Sequence, residues 1–170
     1  MTATSEEKDK VLSTSQVSRK IKRMAFEIYE HNIREKEVVL AGIDGQGYVL
    51  AGLLAKELKS ISPIAALVVR VSIDKSKPLQ SEVNVDVQIS ELLKKSIIVV
   101  DDVLNTGRTL AGSLKPFLAI DVKKIEVAVL VNRSHPNFPI MPTYIGYGLS
   151  TTLTEHVEVN LGKDAAVYLH

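Results

Sequence analysis

The sequence predicts an α/β fold in which helices flank a mostly parallel central sheet. Several short apolar runs are continuous rather than alternating, which is typical of strands that are buried on both faces. Apolar residues at helical intervals separate these runs, as expected for repeated strand and helix units. The predicted central strands cover residues 38–43, 64–73, 97–103 and 125–131.

The helices are predicted from apolar residues that lie three and four positions apart. The N-terminal helix is expected over residues 13–32, where Ser13 and its neighbours offer N-caps, and residues 1–12 are expected to form a mobile arm. Further helices are expected after a glycine turn at residues 42–47 and after residue 107. The apolar stripe of the first helix is Val17, Ile21, Met24, Ala25 and Ile28.

Two segments lie outside this regular pattern. Residues from about 74 to 89 are expected to form a flexible loop and a strand, because a polar stretch with a proline precedes strictly alternating apolar residues. Residues from about 133 to 170 are expected to form a small hood lobe with the C-terminal strands, at 144–149, 156–161 and 165–169. The chain, residues 1–170, is expected to be a single domain.

The composition is that of a folded, soluble protein. Of the 170 residues, 45 % are hydrophobic and 24 % are charged, close to the averages of globular domains. The net charge of +1 provides no overall field for nucleic acid or an acidic membrane, so such a partner would need a local patch. The sequence contains no cysteine, which excludes disulfides, thiolate zinc sites and a cysteine nucleophile.

The sequence predicts neither a secretory signal nor a membrane span. The first ten residues are polar and charged and lack the apolar stretch of a signal peptide. The apolar runs are too short to cross a bilayer. We therefore expect a cytoplasmic protein that has no membrane partner.

The segment 97–110, here called the cradle, carries the clearest functional pattern. Asp101 and Asp102 end a buried strand, and Thr106–Thr109 form the turn before a helix. In an open parallel sheet, ligands bind beyond the carboxyl ends of the strands, where turn amides are free. Two carboxylates can accept hydrogen bonds from a vicinal diol and face Mg²⁺, which prefers oxygen ligands. A diol site beside a phosphate-binding turn indicates a ribose 5-phosphate.

Either half of the cradle alone is common in α/β proteins as a plain strand end or a plain helix cap. The two halves in this order and at this spacing favour the functional interpretation. Response regulators also pair aspartates at a strand end, but there the pair follows the first strand. Here about a hundred residues precede the pair.

Three segments of the chain resemble the family of bifunctional pyrimidine-operon attenuators and uracil phosphoribosyltransferases, which are type I phosphoribosyltransferases. These segments are residues 23–32, residues 101–109, and residues 131–135 with 139–140 and 144–146. The resemblance implies a pentosyltransferase that passes a phosphoribosyl group from phosphoribosyl pyrophosphate to a nucleobase. Uracil is the expected base, nucleotide salvage the expected role, Mg²⁺ the expected cofactor and a homodimer the expected assembly.

The resemblance also assigns roles to individual residues. Asp101 and Asp102 would bind the metal and would act in catalysis together with Arg133, while residues 74–84 would form a closing lid. A solvated connection is the alternative for residues 74–84. The substrate-binding residues would be Asp44, Gly45, Gln46, Gly47, Asp101, Asp102, Asn105, Thr106, Gly107, Arg108, Thr109, Arg133, Tyr144 and Ile145.

Two positions depart from the family pattern. Asp44 and Gln46 stand in the expected pyrophosphate loop, where the family usually has a lysine and an arginine. A carboxylate beside a polyanion opposes binding, by about 1 kcal/mol at 4 Å in water and by several times that in a partly buried site. A catalytically weak nucleotide-binding homologue is therefore one alternative function. Asn105 cannot act as a general base, unlike the aspartate that purine enzymes commonly have there, which weighs against a standard purine enzyme.

A second alternative is an RNA-binding, nucleotide-sensing regulator of pyrimidine genes. Arg19, Lys20, Lys22 and Arg23 form a basic cluster in the first helix, and the resembled family binds RNA through a basic face. A solvated helix face explains the same cluster without RNA. The four histidines show no metal-ligand spacing, and His135 is the one expected in the hood near the site.

Overall fold

The predicted α/β fold with a mostly parallel sheet is confirmed. A computed structural model describes residues 8–170, so the first seven residues of the expected arm lie outside the described part. The helices are α1 (Thr14–His31), α2 (Gln46–Ile61), α3 (Arg108–Ser113) and α4 (Lys115–Leu118), with a 3-10 helix at Ile89–Leu92. The strands are β1 (Asp9–Leu12), β2 (Glu37–Ile43), β3 (Ala65–Ser72), β4 (Asn84–Val85), β5 (Ser96–Leu104), β6 (Lys124–Asn132), β7 (Tyr144–Gly148), β8 (Val157–Asn160) and β9 (Ala166–Leu169).

The central sheet has six strands in the order β4-β3-β2-β5-β6-β7. Strands β3, β2, β5, β6 and β7 pair in parallel, whereas β4 is antiparallel to β3. Strand β5 lies between β2 and β6, so the carboxyl ends of these three strands meet at one edge. Ligands bind at this edge in open α/β sheets.

Helices cover both faces of the sheet because alternate residues of each strand point to opposite sides. Leu40 and Ile98 pack in one core cluster with α1 and α2, whereas Val39 and Ile97 pack in another with α3 and α4. Burying such a side chain contributes about 1.5–3 kcal/mol, which fixes the strand register. Within residues 8–170, no helix is both long and apolar enough to cross a bilayer.

Helix α1 has the predicted position and the predicted buried face. The Ser13 hydroxyl accepts a hydrogen bond from the Gln16 amide, and the Gln16 side chain accepts one from the Ser13 amide. This reciprocal pair is a capping box, which fixes the first turn. All five residues of the predicted apolar stripe are buried.

Residues 9–12 are not part of a mobile arm, in contrast to the prediction. They form β1, which pairs with β9 in a three-stranded antiparallel sheet of order β1-β9-β8. Leu12 is buried in the core, and this burial together with pairing to β9 holds the strand in place. The local pattern does not show this, because the pairing partner lies at the far end of the chain.

The alternating segment after residue 82 contains less strand than predicted. Only Asn84–Val85 pairs with β3, and Ile89–Leu92 forms the 3-10 helix. Val83, Val85 and Val87 nevertheless pack against the core. The alternation of apolar and polar residues therefore reflects burial of one side of the segment, and not a long strand.

The hood is smaller than predicted. It consists of β1, β8 and β9, whereas β7 extends the central sheet beside β6. Strand β7 lies there because Tyr144 is fully buried in the core cluster that includes α1. The predicted hood boundary near residue 133 is therefore wrong for residues 144–148.

Candidate functional site

A cleft of about 320 Å³ opens at the carboxyl end of β5. The second half of the cradle forms one part of its lining, the start of hood strand β8 forms another, and Lys75 completes it. The sheet edge thus faces the hood across a space of ligand size. The predicted site residues that the cleft brings together are Asp101, Asp102, Asn105, Thr106, Gly107, Arg108 and Thr109.

The turn between β5 and α3 has the backbone geometry of an anion-binding loop. Gly107 has a φ of +86°, in the left-handed region that favours glycine. The Thr106 carbonyl accepts hydrogen bonds from the Asn137 and Phe138 amides at 2.8 and 3.1 Å, which anchors the turn to the segment after β6. The turn amides and the hydroxyls of Thr106 and Thr109 can therefore bind a phosphate.

The two cradle carboxylates differ in their surroundings. Asp101 is 5 % exposed, and its Oδ1 accepts a hydrogen bond from the Asp102 amide at 2.9 Å. Burial raises the pKa of Asp101 well above its ordinary value, the neighbouring Asp102 raises it further, and the Lys75 ammonium opposes the shift. Asp102 is half-buried. The pair therefore favours a bound cation or hydroxyl donors beside it.

The chemistry of this pair fits Mg²⁺. This ion binds through one or two carboxylates and completes its coordination with ligand phosphates and waters, rather than within an all-protein cage. Among residues 8–170, no group of three or more histidine, aspartate or glutamate side chains could hold a metal alone. A metal at Asp101 and Asp102 would therefore be shared with a phosphorylated ligand.

The start of helix α2 lies directly beside Asp101. A Cβ atom on Gly47 would lie 2.8 Å from the Val100 carbonyl oxygen and 3.0 Å from Asp101 Oδ1, so this approach requires glycine. A Cβ atom on Gly45 would lie 4.0 Å from Lys75 Nζ. The expected pyrophosphate loop thus borders the cleft, although its residues do not line it.

The two unusual residues of this loop are engaged with other parts of the protein. Asp44 Oδ1 lies 3.7 Å from Arg70 Nε and accepts a hydrogen bond from the Gly45 amide. Gln46 Oε1 accepts a hydrogen bond from the Leu161 amide at 2.9 Å, which ties the loop to the hood. The loop itself carries no cation, and Lys75 brings an ammonium group beside it.

Arg133 lies next to the cleft rather than in its lining. It follows β6, is 9 % exposed, and donates a hydrogen bond to Asn105 Oδ1 at 2.8 Å. Its other side-chain hydrogen bonds go to residues 151–155. His135 Nε2 lies 2.7 Å from the Thr151 carbonyl oxygen. Arg133 and His135 thus lie close to the site, as expected, but Arg133 contacts the cradle and not the cleft.

Tyr144 and Ile145 do not lie at the cleft, in contrast to their predicted substrate-binding role. The Tyr144 hydroxyl donates to Glu126 Oε1 at 3.0 Å and accepts from Asn32 Nδ2 at 3.2 Å. Burial raises the pKa of Tyr144, and Glu126 raises it further. Ile145 is paired opposite Val129. Neither side chain lines the cleft, because both residues lie at the start of β7, beside the middle of β6, and not at the carboxyl end of the sheet.

We expect Tyr144→Phe to lower the free energy of unfolding by about 1–2 kcal/mol, because Glu126 and Asn32 lose a buried partner. Nucleotide affinity should stay the same. Chemical denaturation and a nucleotide titration measure the two effects. Tyr147→Phe is the control, since that hydroxyl has no hydrogen bond within residues 8–170, and it should change stability by less than about 0.5 kcal/mol. If Tyr144→Phe bound nucleotide more weakly but had unchanged stability, Tyr144 would be a substrate-binding residue and not a core residue.

Lys75, His156 and Glu158 line the cleft, although none of the three was among the predicted substrate-binding residues. Glu158 pairs with Lys8 at 2.6 Å, and the hydrogen bond from Lys8 lowers the pKa of Glu158. Lys75 lies within residues 74–84, the segment expected to form a closing lid. No local pattern pointed to His156 and Glu158, because only the docking of β8 opposite the cradle brings them to the cleft.

Comparison with known proteins identifies the family of this chain. Residues 7–151 match the family described as Phosphoribosyl transferase domain. The chain is 33 % identical over 170 residues to the Bifunctional protein PyrR of Bacillus pumilus, with 93 % of each chain covered. It is 32 % identical over 170 residues to the Bifunctional protein PyrR of Fusobacterium nucleatum, covering 94 % of this chain and 96 % of that protein.

Solved structures share the fold at lower sequence identity. A hypoxanthine-guanine phosphoribosyltransferase from Bacillus anthracis has a TM-score of 0.72 and 20 % identity, covering 85 % of this chain and 84 % of that chain. The hypoxanthine phosphoribosyltransferase of Trypanosoma cruzi has a TM-score of 0.75 and 13 % identity, covering 88 % and 84 %. The chain belongs to the phosphoribosyl transferase domain family and is similar over most of its length to the proteins named PyrR.

Proposed function

We propose that this protein is a phosphoribosyltransferase that transfers a phosphoribosyl group from phosphoribosyl pyrophosphate to uracil in nucleotide salvage. The observation that carries the proposal is the cleft, where paired carboxylates and a phosphate-binding turn share one cavity at the end of β5. Membership of the phosphoribosyl transferase domain family supports the same reaction class.

In the proposed reaction, the bond from ribose C1′ to the pyrophosphate oxygen breaks and a bond from C1′ to a ring nitrogen of the base forms. Pyrophosphate leaves, and the proton of that nitrogen passes to solvent. Positive charge develops on the ribose, so preorganised electrostatics supply most of the rate enhancement. Asp101 and Asp102 would hold the ribose hydroxyls, and Thr106–Thr109 would hold the 5′-phosphate. Mg²⁺ bound by the pair would stabilise negative charge on pyrophosphate.

Two observations favour a pyrimidine over a purine. Asn105 donates and accepts hydrogen bonds but cannot take a proton as a general base, and its Oδ1 is already bound to Arg133. The PyrR relatives are also more similar in sequence, at 33 % identity, than the hypoxanthine-guanine phosphoribosyltransferase, at 20 %. Uracil is therefore the first base to test.

One assay tests the proposal directly. The protein is incubated with Mg²⁺, phosphoribosyl pyrophosphate and each common nucleobase in turn, and pyrophosphate release is measured. We expect release that depends on uracil and is abolished by chelating the metal. If no base supports turnover while uridine 5′-monophosphate still binds, the protein is a nucleotide-binding homologue and the enzyme proposal is wrong.

An RNA-binding regulator is the second candidate, supported by the exposure of Arg19, Lys22 and Arg23 on α1. Lys20 is less available, since its ammonium lies 5.6 Å from the centre of the Tyr147 ring. The measurement is the affinity for structured RNA as a function of salt. Binding to phosphates should weaken steeply with salt and should be lost when the four basic residues are neutralised together. Affinity that does not depend on salt or on these residues would exclude this candidate.

Both candidates include the expectation of a cytoplasmic homodimer. The reaction chemistry requires no membrane, and the resembled family supplies the expectation of a dimer. Light scattering at several protein concentrations would measure the oligomeric state. If the protein were a monomer at all concentrations, the expectation of a dimer would be wrong. The proposed reaction would stand, because the cleft lies within one chain.

A further inference from the structure

The Arg133 side chain bridges the cradle and the loop that leads into the hood. Its Nη1 donates a hydrogen bond to Asn105 Oδ1 at 2.8 Å. Its Nε donates to Thr151 Oγ1 at 2.9 Å, and its Nη2 donates to the carbonyl oxygens of Thr152 and Glu155 at 3.2 and 2.6 Å. One bond thus reaches the cradle, and three reach residues 151–155, here called the hood loop.

The hood loop is the connection that places the far side of the cleft. It runs directly into His156–Val159, which line the cleft opposite the cradle. Within the loop, the Thr152 amide donates to Glu155 Oε2 at 2.6 Å. The Thr151 carbonyl oxygen lies 2.7 Å from His135 Nε2. The separation between the cradle and the hood side of the cleft therefore depends on the contacts of this loop, and Arg133 supplies three of them.

The guanidinium has little capacity left for a ligand. Arginine has five N–H donors in one rigid plane, and the four hydrogen bonds above use four of them. All four acceptors are uncharged oxygens. The side chain is 9 % exposed and does not line the cleft. These observations argue against a direct hydrogen bond from Arg133 to a base in the cleft.

We propose that Arg133 is a positioning residue that sets the distance between the two halves of the cleft, the cradle and the hood side at His156–Val159, by holding the hood loop to Asn105. A ligand that spans both halves depends on this distance, whereas a ligand that fills only the cradle does not. The inference rests on the proposed function in one respect, which is that the spanning ligand is a pyrimidine nucleotide.

The first experiment compares uridine 5′-monophosphate with ribose 5-phosphate by calorimetric titration. We expect Arg133→Gln to weaken the nucleotide by about tenfold, or about 1.4 kcal/mol, and ribose 5-phosphate by less than about twofold. Arg34→Gln is the matched control, since Arg34 is exposed, and it should change neither affinity. Equal weakening of both ligands, or no weakening, would overturn the proposal.

A second variant keeps the test valid if Arg133→Gln does not fold. Thr151→Val removes the hydroxyl that accepts the Nε bond and that also lies 3.1 Å from His135 Nε2. His135 keeps its contact with the Thr151 carbonyl oxygen, so the variant should show a smaller loss of the same selectivity. In a double-mutant cycle, the two changes should be non-additive because they break one network. Additive losses would mean that Arg133 acts on the ligand independently of the hood loop, which contradicts the proposal.

Amide hydrogen exchange of the ligand-free protein separates positioning from direct contact. Arg133→Gln should speed exchange at Thr152, whose amide is protected by Glu155, by about tenfold because local opening costs less. Unchanged exchange would overturn the positioning role. If the wild-type protein binds neither ligand, the proposed function fails, and the exchange experiment alone then decides the role of Arg133.

Discussion

Asp101→Asn should weaken binding of phosphoribosyl pyrophosphate and Mg²⁺ by about tenfold or more, because hydrogen bonds to a charged group contribute about 1.5–3 kcal/mol. The same change should stabilise the ligand-free protein at neutral pH. Asp101 is a buried carboxylate beside Asp102, and asparagine keeps the Oδ1 that accepts the Asp102 amide. The site residue is therefore expected to cost stability while it enables binding.

The pH dependence gives the sign of the stability effect. The pKa of Asp101 is raised in the folded protein above the ordinary 3.8. At pH values between 3.8 and this raised pKa, the native state therefore holds more protons than the unfolded chain. Stability of the wild-type protein therefore falls as pH rises through that window. Asp101→Asn removes this loss, so its advantage in melting temperature should grow with pH, by about 2–4 °C for each kcal/mol.

Thermal denaturation from pH 4 to pH 8 and donor titration measure these two effects. Asp102→Asn should also weaken the donor but should stabilise the protein less, since Asp102 is only half-buried. Asp121→Asn is the surface control, because its carboxylate is exposed and pairs with Lys94. Unchanged donor affinity in Asp101→Asn would mean that the site is assigned wrongly.

Asp44→Lys should increase kcat/KM for phosphoribosyl pyrophosphate by about tenfold. A like charge at about 4 Å costs about 1 kcal/mol in water and more in a partly buried site, and lysine replaces this repulsion with attraction. Asp44 is about half exposed and pairs with Arg70 at 3.7 Å. The new lysine would lie beside Arg70, so a small loss of stability should accompany the gain.

Asp44→Asn is the matched control because it removes the negative charge without adding a positive one. We expect kcat/KM to be lowest in the wild-type protein, intermediate in Asp44→Asn and highest in Asp44→Lys. Affinity for uridine 5′-monophosphate should stay nearly constant, because this ligand has no pyrophosphate group near the loop. If affinity for uridine 5′-monophosphate rose by the same factor as kcat/KM for phosphoribosyl pyrophosphate, Asp44 would act on the whole cleft and not on the pyrophosphate group alone.

The cradle side of the cleft could be predicted from the sequence because its residues lie within one strand and the turn that follows. The paired carboxylates, Gly107 and the threonines are close in the chain, and the cleft contains all of them. The opposite part of the cleft lining could not be predicted. His156 and Glu158 reach it through β8, whose place depends on pairing with β9 and on the hydrogen bonds of Arg133.

The sequence by itself determined the buried parallel strands, the apolar face and cap of α1, and the residues of the cradle that line the cleft. Each depends on residues within a few turns or one strand, so periodicity and capping chemistry reveal it. Only the tertiary structure decided that β1 pairs with β9, that Tyr144 is a core residue, and that Arg133 holds Asn105 to the hood loop. Those features depend on contacts between residues that are far apart in the chain, namely strand edges that pair and hydrogen-bond donors that meet their acceptors. Local periodicity does not encode such long-range pairing.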